Sequence, residues 1–314
     1  MRAVAVKEFR AEPELIQVPK PEPGEGEVVV KVEYAALNPV DWQLADGALD
    51  GRAPHVFPLV MGVDYAGRVD VVGPGDNRFR VGDAVFGQAA RPPVGAGTYA
   101  EYVAVPQDGP ITYVPEGVDM RTAAMLPTAG MTAAQLLAVA GVSSGQSLLV
   151  VGAAGGVGCC LTQLAAARGV RVVAVVRGDE ELRMRRLGAA VTVDPTSEDL
   201  TAAVLRACPG GVDAVADMAS ADPASFAAHA KLARPGGLAV GTRFAAGSVA
   251  LEGDVEAAGF QLHASATLLE ALAAAAADGE LQTPVDAELP LEKAPEALAR
   301  NRAGGARGKT VFAL

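Results

Sequence analysis

Leu148-Leu-Val-Val-Gly-Ala-Ala-Gly-Gly-Val-Gly158 is the stretch that decides the fold. An apolar strand, Ser147 to Val151, runs into it. A helix, Gly156 to Arg168, runs out of it and is stopped by Gly169. In that setting Gly155 lets backbone approach a pyrophosphate, and Gly158 lets the helix pack against the strand. The first turn of the helix, Gly156 and Val157 included, supplies N–H donors and a partial positive charge for an anion. Set against G-x-G-x-x-G, Ala153 stands where the first glycine belongs, while the two physically important glycines remain. Such a cluster is otherwise only a tight turn; the strand, helix and following strand at the right separations favour dinucleotide binding.

Outward from the turn, strand and helix alternate. Strands are expected at Arg171 to Val176, Ala190 to Val193, Val212 to Asp217 and Leu238 to Gly241. Helices fall between them at Asp179 to Leu187, Glu198 to Ala207 and Pro223 to Ala233, the last with Asp222 as cap. This alternation means an α/β fold with a doubly wound parallel sheet. Before Arg121 the texture is different: short runs rich in Val and Tyr, separated by Pro and Gly clusters, with no helical periodicity. That is the pattern of a small irregular barrel. After Gln261 come a helix to Ala277, the run Thr283 to Leu291, a helix Pro295 to Asn301 and a last strand, Thr310 to Leu314. That last strand needs a host sheet, and the barrel supplies one. The expected organisation is a barrel domain over 1–121, an inserted cofactor-binding domain over 122–260, and a return to the barrel over 261–314.

Half of the 314 residues are apolar and a fifth are charged, which suits a globular chain large enough for two domains. A net charge of −11 argues against a nucleic-acid surface. It leaves room for an anionic cofactor held by local N–H groups and one or two arginines. The three cysteines, Cys159, Cys160 and Cys208, make no disulfide framework and suit a reducing compartment. Charge interrupts the first residues too early for a signal peptide, and the alanine-rich stretch near Leu268 to Ala277 is too short to cross a bilayer. A soluble, cytoplasmic protein without a membrane partner is expected.

The end of the second strand separates the two nicotinamide cofactors. An NAD site places Asp or Glu there for the ribose hydroxyls, whereas this chain has Arg177-Gly178. A guanidinium pairs with a 2′-phosphate, so NADPH is the expected cofactor. The alternative for Arg177 is a solvated strand end, and Asp179 and Glu180 either cap the next helix or take a ribose.

An ordered set of further motifs spans nearly the whole chain: Asn38-Pro-Val-Asp41, Gly62-Val-Asp-Tyr-Ala-Gly67, Val81-Gly-Asp83-Ala-Val-Phe86 and Gly97-Thr-Tyr-Ala-Glu-Tyr102. Ala129-Gly-Met-Thr-Ala133, the glycine turn with Gln163 in its helix, and Ala306-Arg-Gly-Lys-Thr-Val-Phe312 continue it. With these the sequence resembles the zinc-independent quinone oxidoreductase branch of the medium-chain dehydrogenase/reductase superfamily. The resemblance implies a GroES-like barrel as catalytic domain, an inserted Rossmann domain, and a homodimer formed through the Rossmann sheet edge. Related alcohol dehydrogenases use zinc. Here the ligand positions resemble Asn38 and the Gly62 to Tyr65 stretch, without Cys or His, and the four-cysteine lobe is missing, so no metal site is expected. His55 is read as a structural loop residue.

Without a metal, polarisation of a carbonyl falls to hydrogen bonds, which favours quinones and α,β-unsaturated carbonyls as small-molecule substrates. The resemblance places Asn38 in the cleft beside the nicotinamide as the candidate donor to an enolate oxygen; the alternative is a turn residue before Pro39. Asp41 is expected to brace its loop, and Tyr65 is the nearest candidate proton donor, in a motif that is usually structural. Thr132 matches a residue near the nicotinamide ribose, and Gly241 through Phe244 is expected beside the nicotinamide. Lys309 either reaches the cofactor phosphates or is a solvated tail charge. Gln43 and Pro195 stand where some relatives carry tyrosines. Two other readings remain open: an enoyl-thioester reductase of fatty-acid or polyketide synthesis, and a non-catalytic NADP(H)-binding sensor or scaffold.

Overall fold

A computed structural model of the chain describes residues 1–242, 251, 254–304 and 306–314. It divides into two compact units, Met1–Met131 with Ala264–Leu314, and Thr132–His263.

In the first unit the organising strand is Glu27–Ala36, whose Val28, Val30 and Val32 alternate into the core. One edge of it pairs antiparallel with Asp64–Val72. The other edge is shared: Glu27 to Lys31 pair with Tyr102–Pro106, and Tyr34 to Ala36 pair with Lys309–Ala313. Ala84–Gln88 and Ile111–Tyr113 extend the sheet beyond Asp64–Val72, and Val285–Pro290 extends it, in parallel, beyond the closing strand. A second sheet has the order Glu14–Gln17, Arg2–Val6, His55–Val60, Val94–Ala96. Tyr99 and Phe312 meet edge to face in the core, with centroids 4.9 Å apart.

The first third is not free of helix. Pro39–Ala45 is helical, with Asn38 as its N-cap. At seven residues it is too short for periodicity to reveal. It forms because Pro39 pre-sets the first turn and Asp41 Oδ2 accepts from the Asn38 backbone N–H at 2.7 Å.

The second unit holds six parallel strands in the order 191–193, 171–175, 147–151, 212–217, 233–241, 255–259. Every residue of Ser147–Val151 is buried, as a strand covered on both faces requires. The strand order reverses between Ser147–Val151 and Val212–Asp217, which opens a crevice at the carboxyl ends of these two strands. The glycine turn leaves from that point.

Candidate active site

In the second unit the chain turns sharply after Val151. Gly152 adopts φ +83°, a conformation that glycine takes without strain. Ala153 is fully buried and its N–H donates to Val175 O at 3.2 Å, tying the turn to the second strand. Gly155 caps the helix Gly156–Ala167, and a Cβ there would meet nothing nearer than Gly152 O at 3.4 Å. The space beside Gly155 is therefore open to a ligand. Gly158 is different: a Cβ there would lie 2.4 Å from Gly152 O and 2.6 Å from Ala153 Cα. It is the residue that lets the helix seat against the turn.

Arg177 is exposed at the end of the second strand. Asp194 is its electrostatic neighbour: its carboxyl is held below the usual range by Thr196, then by the Gly178 N–H at 2.9 Å and by Arg177. Arg183, which sequence reasoning missed, reaches back from the next helix and donates to Ala154 O at 3.1 Å while pairing with Glu180 at 2.7 Å. A second brace was also missed. Asp217, at the end of the fourth strand, accepts from Ala219 N, Ser220 N and Ser220 Oγ, and lies 2.8 Å from His229 Nδ1. It fixes the turn whose Ala219 faces Gly152. Gly241 ends the fifth strand in register with Asp217. Thr132 is buried on the helix Pro127–Ala140. Phe244 lies outside the described residues.

In the first unit the register sets Ala36 opposite Asp64 on one side and Val311 on the other, so the ends of two strands meet the closing strand. There the polar residues form one buried network. Asn38 Nδ2 donates to Asp64 Oδ2 at 2.8 Å and to Ala36 O at 3.2 Å. Asn38 Oδ1 accepts from Lys309 Nζ at 2.7 Å. Those three partners fix which way the amide faces, since the ammonium has only hydrogens to offer and Asp64 only lone pairs. Lys309 also donates to Leu37 O at 2.9 Å and stands 3.8 Å from Asp64. Thr128 gives Asp64 both its N–H and its hydroxyl. Tyr99 donates to Asp41 Oδ2 at 2.6 Å.

Burial sets the electrostatics. It pushes the Asp41 carboxyl up to about 7, against the pull of Tyr99 and the Asn38 N–H. It also raises Asp64, opposed chiefly by Lys309, and lifts Tyr99 well above a free phenol, helped by Asp41.

Three expectations change on this geometry. Tyr65 points to the opposite face of its strand from Asp64, into the hydrophobic core, where its hydroxyl is buried without a partner and burial raises its pKa. It is not placed to donate a proton to a substrate. Lys309 is neither a solvated tail charge nor directed at phosphates, because its side chain is 4% exposed and its ammonium donates to Asn38 and Leu37. Asn38 has both amide hydrogens engaged, so it offers one to an oxyanion only by giving up the longer bond to Ala36 O.

The alcohol dehydrogenase GroES-like domain matches residues 24–116, and the zinc-binding dehydrogenase family matches residues 187–312. A chloroplast envelope quinone oxidoreductase homolog of Arabidopsis thaliana is 39% identical over 120 residues, covering 38% of this chain. That match spans only 36% of the relative's own length. A mitochondrial NAD(P)H oxidoreductase of Bos taurus is 30% identical over 91% of this chain and 81% of the relative. Among solved structures, the quinone oxidoreductase from Coxiella burnetii superposes with a TM-score of 0.89 at 29% identity, over 100% of this chain and 99% of that one. A mycobacterial protein complexed with NADPH gives 0.85 at 28% identity over 100% of both.

The chain belongs to the quinone oxidoreductase branch of the medium-chain dehydrogenase/reductase superfamily.

Zinc, which the wider superfamily uses, does not suit the residues of this quinone oxidoreductase-like chain. Catalytic zinc takes three protein ligands, normally including Cys or His. The buried network offers Asn38 and Asp64, and the Lys309 ammonium already sits on the amide oxygen a metal would need. The nicotinamide dinucleotide does suit it, because the open side of Gly155, the helix N-terminus behind it and Arg177 supply space, N–H donors and a cation.

Proposed function

We propose that this protein is an NADPH-dependent reductase of quinones or α,β-unsaturated carbonyls. The observation that carries the reading is the Asn38–Asp64–Lys309 network, in which a buried ammonium holds the Asn38 amide and leaves the hydrogen on its longer bond, to Ala36 O, as the donor in place of a metal-ligand set. Hydrogen bonds alone polarise a carbonyl weakly, so the substrate must carry its own activation, as a conjugated ketone or quinone does. The cofactor, when bound, supplies a hydride to the conjugated carbon. Lys309 holds the Asn38 amide in one orientation, and Asp64, kept by Thr128, holds its other end. An enolate oxygen is met by the Asn38 Nδ2 hydrogen that Ala36 O releases, and the carbon proton comes from solvent. In the second unit, Gly155, Gly156 and Val157 would take the pyrophosphate, Ala153 and Gly158 hold the turn and helix that present them, Gly241 and Thr132 would line the ribose–nicotinamide half, and Arg177 would take the 2′-phosphate.

The NADPH complex of the mycobacterial relative supports the cofactor half of this reading. Replacing Arg177 by Ala removes a charge-assisted contact of about 1.5–3 kcal/mol, so NADPH affinity should fall about 10- to 100-fold with NADH affinity unchanged. Equal losses for the two cofactors, measured by fluorescence titration, would remove Arg177 from the site. We further infer a homodimer through the strand Val255–Gly259, the last in the sheet order, which sedimentation analysis checks.

A further inference from the structure

Within the first unit there is a cavity of about 160 Å³ whose wall includes Val40, Leu44, Leu49, Leu59 and Met61, together with Asp41. Its position follows from the short helix Pro39–Ala45, which turns Leu44 toward the same core that Leu59 and Met61 fill. The backbone closes in from the other side at Gly95 to Gly97, where a Cβ on Gly97 would lie 2.2 Å from Met61 O. An apolar cavity of about 150 Å³ holds one benzene ring. The size therefore selects a single ring or an aliphatic arm of equal bulk.

The wall also selects against charge. Asp41 Oδ2 is occupied twice, by the Asn38 N–H and the Tyr99 hydroxyl, while Oδ1 is buried with no partner. Arg91 also lines the wall, but its guanidinium is paired with Glu27 at 2.6 Å and donates to Ala104 O, so an anion here would meet the Asp41 carboxyl, with Asp64 behind it, with little to offset the cost. A cation would leave solvent for apolar surroundings. A neutral molecule loses neither.

We propose that this cavity is a specificity pocket that takes the apolar ring of the substrate, limiting it to neutral single-ring quinones or enones of similar bulk. The proposal rests on the reading of the chain as a quinone or enone reductase, but occupancy of the cavity is separable from turnover. Leu44 and Leu49 are partly buried and pack against the core, so a larger side chain at either fills the cavity from its rim.

The test uses the full chain and p-fluorophenol as a neutral ring probe, followed by fluorine NMR. Wild type should bind the probe saturably, and Leu44→Trp and Leu49→Trp should weaken it at least about tenfold, as loss of a ring-sized apolar site implies. NADPH affinity should not change in either. Leu44→Ala should shift the ratio of kcat/KM for naphthoquinone over benzoquinone upward by about tenfold. Undiminished probe binding in folded Trp variants overturns the pocket. Should both Trp variants fail to fold, an unchanged naphthoquinone-to-benzoquinone ratio in Leu44→Ala overturns it instead. Absence of quinone and enone turnover in wild type, with probe binding still blocked by the Trp variants, overturns the reductase reading and leaves the pocket standing.

Discussion

Asn38 N–H and the Tyr99 hydroxyl both reach one oxygen of Asp41, and the carboxyl is buried deeply enough for its pKa to rise to about 7. The sign of the resulting pH dependence is fixed. A carboxyl whose pKa is higher folded than unfolded binds more protons in the folded state, so its stabilising contribution is complete below about pH 4 and is lost as the pH rises through about 7. Asp64, raised in the same direction, adds to the trend. Urea unfolding at a series of pH values should show Asp41→Asn gaining on wild type between pH 4 and 7. A difference that stays flat would mean the Asp41 carboxyl is ionised throughout. Tyr65 gives a second prediction at this scale. Its hydroxyl is fully buried and unpaired, and an unpaired buried polar group costs about 1–3 kcal/mol. Tyr65→Phe keeps the ring and removes the cost, so it should stabilise the protein by about 1 kcal/mol or more and leave turnover intact. Loss of turnover would return Tyr65 to the mechanism.

Among elements, the helix Gly156–Ala167 depends on Gly158 for its contact with the turn. Gly158→Ala places a methyl group 2.4 Å from a carbonyl oxygen that is part of the turn itself, and backbone cannot step aside as a side chain would. Overpacking of this kind costs about 1–3 kcal/mol, and the displaced helix would carry with it the N–H groups proposed to take the pyrophosphate. We expect a lower Tm and a loss of NADPH affinity together. Gly155→Ala meets only an ordinary contact, with Gly152 O at 3.4 Å, so it should spare Tm and lose affinity alone. The strand, turn and helix of this half were legible because they are consecutive in the chain and fall within the quoted stretch. The network around Asn38 was legible only in pieces. Asp64 and Tyr99 stood inside the quoted motifs, yet nothing local shows that they meet Asn38 and Asp41, because the register of three separate strands brings them there. Alternation along Asp64–Val72 held the missing signal: once Tyr65 faces the core, Asp64 must face the other way. For the same reason the sequence left Lys309 between a cofactor-phosphate ligand and a solvated tail charge, since its burial is set by pairings some 270 residues distant in sequence.

For the whole molecule, the asymmetry between the two units is one of chain continuity. The first unit is built from two segments, and Lys309–Ala313 is the strand through which the later segment pairs with Glu27–Ala36. The second unit is one segment, and the cluster that includes Leu149, Val151, Val173 and Val215 draws, among the described residues, on nothing after residue 263. Deleting residues 309–314 therefore has unequal consequences. In the first unit it removes Phe312 from the Tyr99 contact, Val311 from the core and Lys309 from the Asn38 amide. Loss of one buried Phe costs about 3–5 kcal/mol, and the other two losses bring the total close to the 5–15 kcal/mol that holds a domain together. Hydrogen exchange should then show Glu27–Ala36 and Asp64–Val72 losing protection, while Ser147–Val151 and Val212–Asp217 keep theirs. Cofactor affinity should persist in part, because the glycine turn and Arg177 belong to the unit that survives. Loss of protection in both sheets at once would show instead that the two units unfold as one, and the parallel sheet would then owe its stability to the barrel rather than to its own core.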